Sequence, residues 1–111
     1  MPNVKIQVEE ATLAEQRHKV LEVLDPLRQL ICEKMGVPAS ACQIVVIPVM
    51  GLPDQPVANM DMFYISREGR TRDMVEGACV AFRALLESAL DNKVAVRAIG
   101  FDQQTYLSLK D

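Results

Sequence analysis

The sequence predicts an α+β fold made of two consecutive βαβ units, in which a four-stranded mixed sheet carries two helices on one face. Three observations predict it. A strand-like alternation of apolar and polar residues precedes each of two long helical patterns, and an apolar strand follows each of them. The first strands of the two halves also match, since residues 2–6 read Pro-Asn-Val-Lys-Ile and residues 58–62 read Ala-Asn-Met-Asp-Met. Parallel strands joined by right-handed crossovers place both helices on one face.

The two strands of the first half differ in pattern. Residues 4–8, Val-Lys-Ile-Gln-Val, alternate with the period of a half-buried strand, and we interpret them as an edge strand. Residues 43–49, Gln-Ile-Val-Val-Ile-Pro-Val, are too apolar for a strand with one buried face, so we predict a central strand there. Because two helices cover only one face of such a sheet, the other face is expected to be covered by a second copy of the chain.

The helix of the first half has clear start and stop signals. Residues 12–15, Thr-Leu-Ala-Glu, have the form of a capping box, and apolar residues then recur at helical spacing. We therefore expect a helix from about Leu13 to Met35, followed by Gly36. Pro26 lies inside it and removes one backbone hydrogen bond, which predicts a kink near Asp25 or two abutting helices.

The second half repeats the first after a break. Residues 51–57 contain two prolines and show no periodicity, so they are predicted to be a hinge between halves at about 1–50 and 58–111 of a single domain. Thr71 is expected to cap the second helix, which ends near Asp91, and a last strand closes the chain. The predicted buried stripe of this helix is Val75, Ala78, Phe82, Leu85, Ala89 and Leu90.

Composition excludes several classes of function. The 111 residues are half apolar and carry a formal net charge of -3, without the basic face that a nucleic-acid partner requires. No apolar run reaches the roughly 20 residues that span a bilayer, and Lys5, Glu9 and Glu10 interrupt what a signal peptide would need, so we expect a cytoplasmic protein with no membrane partner.

The cysteines do not indicate a metal site. Cys32, Cys42 and Cys79 are an odd number and lack the spacing of metal ligands. Reduced, mostly buried thiols are the expected state in the cytoplasm. The sequence therefore predicts neither a metal nor a cofactor.

The start of the chain and two internal stretches carry a resemblance to a known family. Residues 65–73, Ile-Ser-Arg-Glu-Gly-Arg-Thr-Arg-Asp, stand at the entry to the second helix, and residues 36–46 form the turn from the first helix into a strand. With a Met-Pro start and a repeated βαβ unit, the chain resembles the tautomerase superfamily over nearly its whole length. The turn is similar to that of 4-oxalocrotonate tautomerases, and the arginine stretch is similar to the cis-3-chloroacrylic acid dehalogenase branch, whose chains are fused βαβ pairs.

The resemblance implies a homotrimer in which the amine of Pro2 is the acid-base catalyst for a small carboxylate-bearing substrate. Arg67 and Arg70 match the two family arginines that hold the substrate carboxylate, and Arg97 on the last strand resembles a third cation. Burial and nearby cations would lower the pKa of the amine, which suits a base that transfers protons next to a carbonyl. The planar fork of arginine also fits a carboxylate. Because Arg70 precedes the helix at the predicted surface, its replacement by alanine is expected to leave folding unaffected.

At several positions this sequence differs from the family pattern, and these differences favour one of the family's reactions over the others. The acid that decarboxylases and dehalogenases use to activate water aligns with Ala41, and the histidine of the dehalogenase branch falls near Ile31. The strand arginine of the short tautomerases is Gln43 in the first half. Proton transfer by Pro2 alone remains, so the predicted function is that of a tautomerase acting on a small keto-enol carboxylic acid. A dehalogenase-like or decarboxylase-like member with altered helper residues is an alternative.

A second class of function remains open. Pro2 is a common second residue for reasons unrelated to catalysis, and the arginines before the helix are also typical of a solvated charged cluster, which is how we interpret Arg72. If Met1 is retained, Pro2 is an amide and cannot act as a base. The chain would then be a ferredoxin-like, non-catalytic regulatory module that binds a small ligand between subunits. Phe101 and Tyr106 fit either a wall of the site or a subunit interface.

Overall fold

The elements follow the order strand, helix, strand in each half. The computed structural model describes residues 2–110, and Met1, whose retention the sequence leaves open, lies outside this range together with Asp111. The elements are β1 (Asn3–Glu9), α1 (Glu10–Met35), a 3-10 turn (Ala39–Ala41), β2 (Gln43–Val49), β3 (Ala58–Ile65), α2 (Arg72–Leu90) and β4 (Val94–Phe101).

The four strands form one mixed sheet in the order β2-β1-β3-β4. β1 and β2 are parallel, β3 and β4 are parallel, and the two pairs meet where β1 runs antiparallel to β3. Such pairs require crossover connections, and α1 and α2 are those connections. The predicted fold class of two βαβ units is therefore confirmed.

The places of the first two strands are the reverse of the expectation. β1 lies inside the sheet, whereas β2 is an edge strand. The crossover sets β2 beside β1, and β3 then occupies the other side of β1, so no strand within residues 2–110 pairs with the outer edge of β2. Pro48 in β2 fits this position, because a proline has no N–H to donate to a further strand. The apolar run 43–49 therefore reflects surface that one chain leaves partly open.

The core lies between the helices and one face of the sheet. Alternate residues of β1 and β3 point towards α1 and α2 and are buried, as the period of a strand requires. Phe82 of α2 and Leu27 of α1 are fully buried among them. The strand side chains in this core include Val4, Ile6, Val8, Ala58, Met60, Met62 and Val94.

The intervening side chains of the strands lie on the opposite face of the sheet. Lys5, Asp61 and Arg97 form one row across it, because Lys5 pairs with Asp61 and Asp61 pairs with Arg97 in the registers of the strands. Apolar residues accompany this row, and Val45 and Ile99 are 39% and 50% exposed. This face thus combines charged and apolar groups at the surface of the single chain.

The start of α1 differs from the predicted capping box. The helix begins at Glu10, and Glu9 is its N-cap. The Glu9 carboxylate accepts hydrogen bonds from the backbone N–H groups of Ala11 and Thr12 at 3.1 and 2.9 Å, and also from the Thr12 hydroxyl group. These bonds lower the pKa of Glu9. Because Glu9 already satisfies the first amide groups, the helix needs no second start at Thr12.

The irregularity of α1 also lies elsewhere than predicted. The backbone leaves helical dihedral angles at Gln16, with φ -120° and ψ 25°, and not near Asp25. Helix α1 continues through Pro26, although the proline cannot donate to the preceding turn. Val23 and Leu27 on either side are buried in the core, and this packing holds the proline turn in the helix.

Helix α2 follows the prediction closely. Thr71 is its N-cap and its hydroxyl group accepts from the backbone N–H of Met74 at 3.2 Å, while Asp91 at the other end has a left-handed φ of 50°. The buried residues are Val75, Ala78, Phe82, Leu86 and Leu90. Leu86 was not predicted, and the predicted Leu85 and Ala89 are only half-buried at the border of this stripe. Within residues 2–110, neither α1 nor α2 has the length and apolar character needed to cross a membrane.

Candidate active site at one end of the sheet

The registers of the strands bring Pro2 and the arginine motif to the same end of the sheet. Asn3, the first residue of β1, pairs with Gln43 at the start of β2 and with Phe63 near the end of β3. Pro2 therefore lies beside the last residues of β3, after which the chain enters residues 66–71, which contain Arg67 and Arg70. The structure thus places these parts of the predicted site in one region.

Pro2 is tightly held at this end. Its side chain is fully buried, and its carbonyl group accepts a hydrogen bond from the backbone N–H of Gln43 at 3.1 Å. The bond fixes the first residue of β1 against the first residue of β2. The ring of Pro2 is therefore part of the packed end of the sheet and does not line the neighbouring cleft.

A cleft of about 430 Å³ opens beside this end of the sheet. Three of its lining residues are cations, although the chain as a whole is acidic. Among the described residues that line it, none is acidic. A cleft with this charge balance favours an anionic ligand. Its lining consists of Val37, Ile65, Arg67, Arg70, Gln103, Tyr106, Ser108 and Lys110.

The guanidinium group of Arg70 is bound to the main chain. Its Nη1 donates to the carbonyl oxygen of Ile65 at 2.7 Å, and its Nη2 donates to that of Met35 at 3.1 Å. Ile65 ends β3 and Met35 ends α1, so one side chain connects the two halves of the fold. A positive charge on the last carbonyl groups of a helix also complements the helix dipole.

The surroundings of Arg70 are unusual for an arginine. Burial lowers the pKa of Arg70, and the nearby charge of Arg67 lowers it further. Its Nε atom is buried and has no hydrogen-bond partner among the described residues. Arg70 thus differs from the freely exposed residue that the sequence predicted, and the expectation that its loss leaves folding unaffected must be corrected.

Replacement of Arg70 by methionine is expected to destabilise the fold. The change leaves the carbonyl groups of Ile65 and Met35 without their charged donor, and hydrogen bonds to charged groups each contribute roughly 1.5 to 3 kcal/mol. Because both bonds are only partly buried and water can replace part of what they contribute, we expect the free energy of unfolding, measured by urea denaturation, to fall by about 2 to 4 kcal/mol. Arg72→Met is the matched control, since Arg72 is exposed on the same segment, and it should change the value by less than about 0.5 kcal/mol. Equal stability of the two variants would contradict the structural role of Arg70.

Arg67 is placed differently from Arg70. It is exposed and lines the cleft of about 430 Å³ as well as an adjoining cleft of about 290 Å³. The adjoining cleft also contains Glu33 and Glu68, so its charge is mixed. The Arg67 side chain makes no hydrogen bond to the main chain of residues 2–110, so it can move towards an anion in the first cleft without breaking one.

Arg97 is not part of this cleft within one chain. It lies on the face of the sheet opposite the helices, where its Nη1 donates to Oδ1 of Asn59 at 3.0 Å. The register of β3 and β4 places it next to Asp61 in the middle of the strand. The structure therefore brings Arg67 and Arg70 together but leaves Arg97 on a different surface.

The segment after β4 forms a wall of the cleft. The ring of Tyr106 stacks on Phe101 with centroids 5.7 Å apart, and its backbone N–H donates to the carbonyl of Asp102 at 3.0 Å. Gln103, Tyr106 and Lys110 of this segment line the cleft. The sequence left the role of Tyr106 open and did not indicate Lys110, because no local pattern shows where a segment without regular structure folds back.

The three cysteines are free thiols, and burial makes two of them, Cys42 and Cys79, harder to deprotonate. Burial raises the pKa of Cys42 to about 11, with a further contribution from Cys32, and burial raises that of Cys79 as well. Among residues 2–110, no group of three or more His, Cys, Asp or Glu side chains could hold a metal ion.

Comparison with solved structures identifies the fold. A macrophage migration inhibitory factor-like protein from Entamoeba histolytica superposes with a TM-score of 0.70 at 20% identity, covering 96% of this chain and 94% of that one. A wild-type fused 4-OT, solved as an asymmetric trimer, has a TM-score of 0.70 at 14% identity, with 96% and 92% covered. A member of the cis-3-chloroacrylic acid dehalogenase family has a TM-score of 0.72 at 15% identity, with 96% and 80% covered.

The similarity is one of structure. No protein-family model matches the sequence, and no curated protein matches it. Identities of 14 to 20% over nearly the whole chain show a common fold and leave the chemistry to be argued from the residues. The predicted fold of two βαβ units is confirmed, because the chain shares its fold with a fused 4-OT, a macrophage migration inhibitory factor-like protein and a member of the cis-3-chloroacrylic acid dehalogenase family.

Proposed function

We propose that the protein is a tautomerase that interconverts the keto and enol forms of a small carboxylic acid, with the amine of Pro2 as its acid-base group. The observation that carries this proposal is the cationic cleft beside Pro2, at the same end of a tautomerase-type sheet. A carboxylate suits the cleft by charge, and a proton-transfer group next to it is what the reaction requires. Removal of Met1 would leave Pro2 with a secondary amine.

The mechanism needs one base and one source of positive charge. The lone pair of the Pro2 nitrogen would accept the proton of the enol hydroxyl group, and the resulting ammonium would deliver a proton to the other carbon of the double bond, the one that does not bear the hydroxyl group, which restores the amine. The carbonyl bond forms as the carbon–carbon double bond is lost. Arg67 would contact the carboxylate, and Arg70 would add to the positive field that favours the enolate-like transition state.

Two other reactions, dehalogenation and decarboxylation, are less compatible with the residues of this chain. Hydrolytic dehalogenation and decarboxylation need a group that activates water. Ala41 and Ile31 occupy the two positions where the family resemblance would place such helpers, and neither side chain can accept a proton. Proton transfer by Pro2 requires no further helper, which favours the tautomerase over a dehalogenase or decarboxylase.

The assembly that we propose is a cytoplasmic homotrimer, with each chain forming one domain from both halves. A fused 4-OT with the same fold is a trimer. The sheet face opposite the helices and the unpaired edge of β2 are surfaces that other copies could cover. Three free thiols suit the reducing cytoplasm.

Covalent labelling tests the role of Pro2. Bromopyruvate or a 3-bromopropiolate-type acid should alkylate the Pro2 amine faster than any cysteine, because the cations attract the acid and because burial keeps the thiols of Cys42 and Cys79 protonated. Cys32 is the remaining competitor. Peptide mapping by mass spectrometry locates the adduct, and the same spectra report whether Met1 has been removed.

The alternative function is a non-catalytic module that binds a small acid. The complete burial of the Pro2 side chain favours it, because a buried ring also serves simply to begin β1. Retention of Met1, or an adduct found only on Cys32, would support this module and exclude Pro2 as the reagent.

A further inference from the structure

We infer that Lys110, together with Arg67, directly contacts the carboxylate of the ligand, and that Arg70 is a positioning residue. The inference rests on the proposed function for the identity of the cleft as the ligand site. It differs from the sequence-based assignment, in which Arg67 and Arg70 share the carboxylate. The difference comes from hydrogen bonding. The guanidinium group of Arg70 already donates to the main chain, whereas Arg67 and Lys110 are exposed.

The donors of Arg70 are already engaged. Two of its nitrogen atoms donate to the carbonyl groups of Ile65 and Met35, and its Nε is buried out of reach of solvent. A bidentate grip on a carboxylate would require Arg70 to give up at least part of this arrangement. Its effect on a ligand therefore passes through the segment that it anchors, which carries Arg67 three residues earlier.

Lys110 supplies the second cation from the segment after β4. It is exposed, and it lies on the cleft with Arg67 although the two residues belong to distant parts of the sequence. The stacking of Tyr106 on Phe101 and the turn at Asp102 fix residues 101–106, and the chain continues from there to Lys110. Two exposed cations that line one cleft can both turn to one small anion, and among residues 2–110 neither side chain donates a hydrogen bond that it would have to break.

The experiment measures the binding of a stable acid separately from catalysis. Cinnamate is the probe, cinnamamide is its neutral counterpart, and dissociation constants come from NMR titration. Lys110→Met should weaken cinnamate binding about three- to tenfold, as expected for an exposed charge pair, and should leave cinnamamide unchanged. Lys110→Arg should restore the affinity to within about twofold. Lys93→Met is the control, because Lys93 precedes β4 at the opposite end of the sheet and should change nothing.

Turnover provides the second measurement. With phenylenolpyruvate, Lys110→Met should raise KM and leave kcat nearly unchanged, because a contact to the carboxylate is made in the ground state and the transition state alike. Unchanged cinnamate affinity in Lys110→Met, or no saturable binding of cinnamate to the unaltered protein, would overturn the inference. Lys110-dependent binding of cinnamate without any ketonisation would instead uphold it and reject the proposed catalysis.

Discussion

Ketonisation of phenylenolpyruvate should fall to the uncatalysed rate when the nitrogen of Pro2 is held in a peptide bond. Insertion of leucine between Met1 and Pro2 achieves this, because a bulky second residue keeps the initiator methionine in place. The nitrogen of Pro2 is then a tertiary amide whose lone pair is delocalised, and it cannot accept a proton. General acid-base catalysis contributes roughly 10²- to 10⁴-fold, so a loss of at least this size is expected in kcat.

Pro2→Ala is the informative companion to this variant. With Met1 removed, alanine leaves a primary amine at the same place, so activity should drop without vanishing. Pro2 is buried and its carbonyl group accepts a hydrogen bond from Gln43, so a change at this position can also disturb the fold. The activities are therefore compared only if both variants have urea unfolding midpoints close to that of the unaltered protein. A folded insertion variant with undiminished activity would show that Pro2 only begins a strand.

The elements of the fold that depend on local patterns were predictable from the sequence. Thr71 does cap α2, because the hydrogen bond that its hydroxyl group accepts from the backbone N–H of Met74 is made within one helical turn. The repeated order of strand, helix and strand determined the two parallel pairs, since a crossover leaves few other arrangements. Such features involve residues that are close in sequence.

The features that could not be predicted from the sequence depend on contacts between residues that are far apart in the sequence. The apolar character of residues 43–49 indicated that the strand is buried but did not show what buries it. The same pattern fits a central strand covered within one chain and an edge strand that one chain leaves partly open. Pro26 suggested a break in α1, yet burial of Val23 and Leu27 on either side outweighs the lost hydrogen bond. In both cases the tertiary packing decided between two locally reasonable structures.

In the candidate site too, contacts between residues near in sequence were predictable, and contacts between residues far apart in sequence were not. Arg67 and Arg70 line the same cleft, and their separation of only three residues makes this proximity predictable from the motif. That Arg70 bonds to the end of α1 could not be predicted, since Met35 is 35 positions away in the sequence. Lys110 was missed for the same reason, because only the folded chain brings its segment over the cleft.

The second large effect that we expect concerns assembly. Light scattering should give a mass of about 37 kDa, three times the 12.3 kDa of one chain, because the uncovered sheet face has apolar groups to bury. Val45 and Ile99 lie on this face and are 39% and 50% exposed in the single chain. A mass near that of one chain would contradict the trimer.

Charged substitutions on the two sides of the sheet then test which surface forms the interface. Val45→Asp and Ile99→Asp should each shift the trimer towards monomer, because burying an unpaired carboxylate in a subunit interface costs several kcal/mol, on the order of 3 or more. Leu21→Asp is the matched control, since Leu21 is 53% exposed on α1, on the helical side of the sheet. If Leu21→Asp dissociates the assembly and the strand variants do not, the copies associate through their helices. In that case the row of Lys5, Asp61 and Arg97 faces solvent, and Arg97 lies outside any interface formed by the sheet.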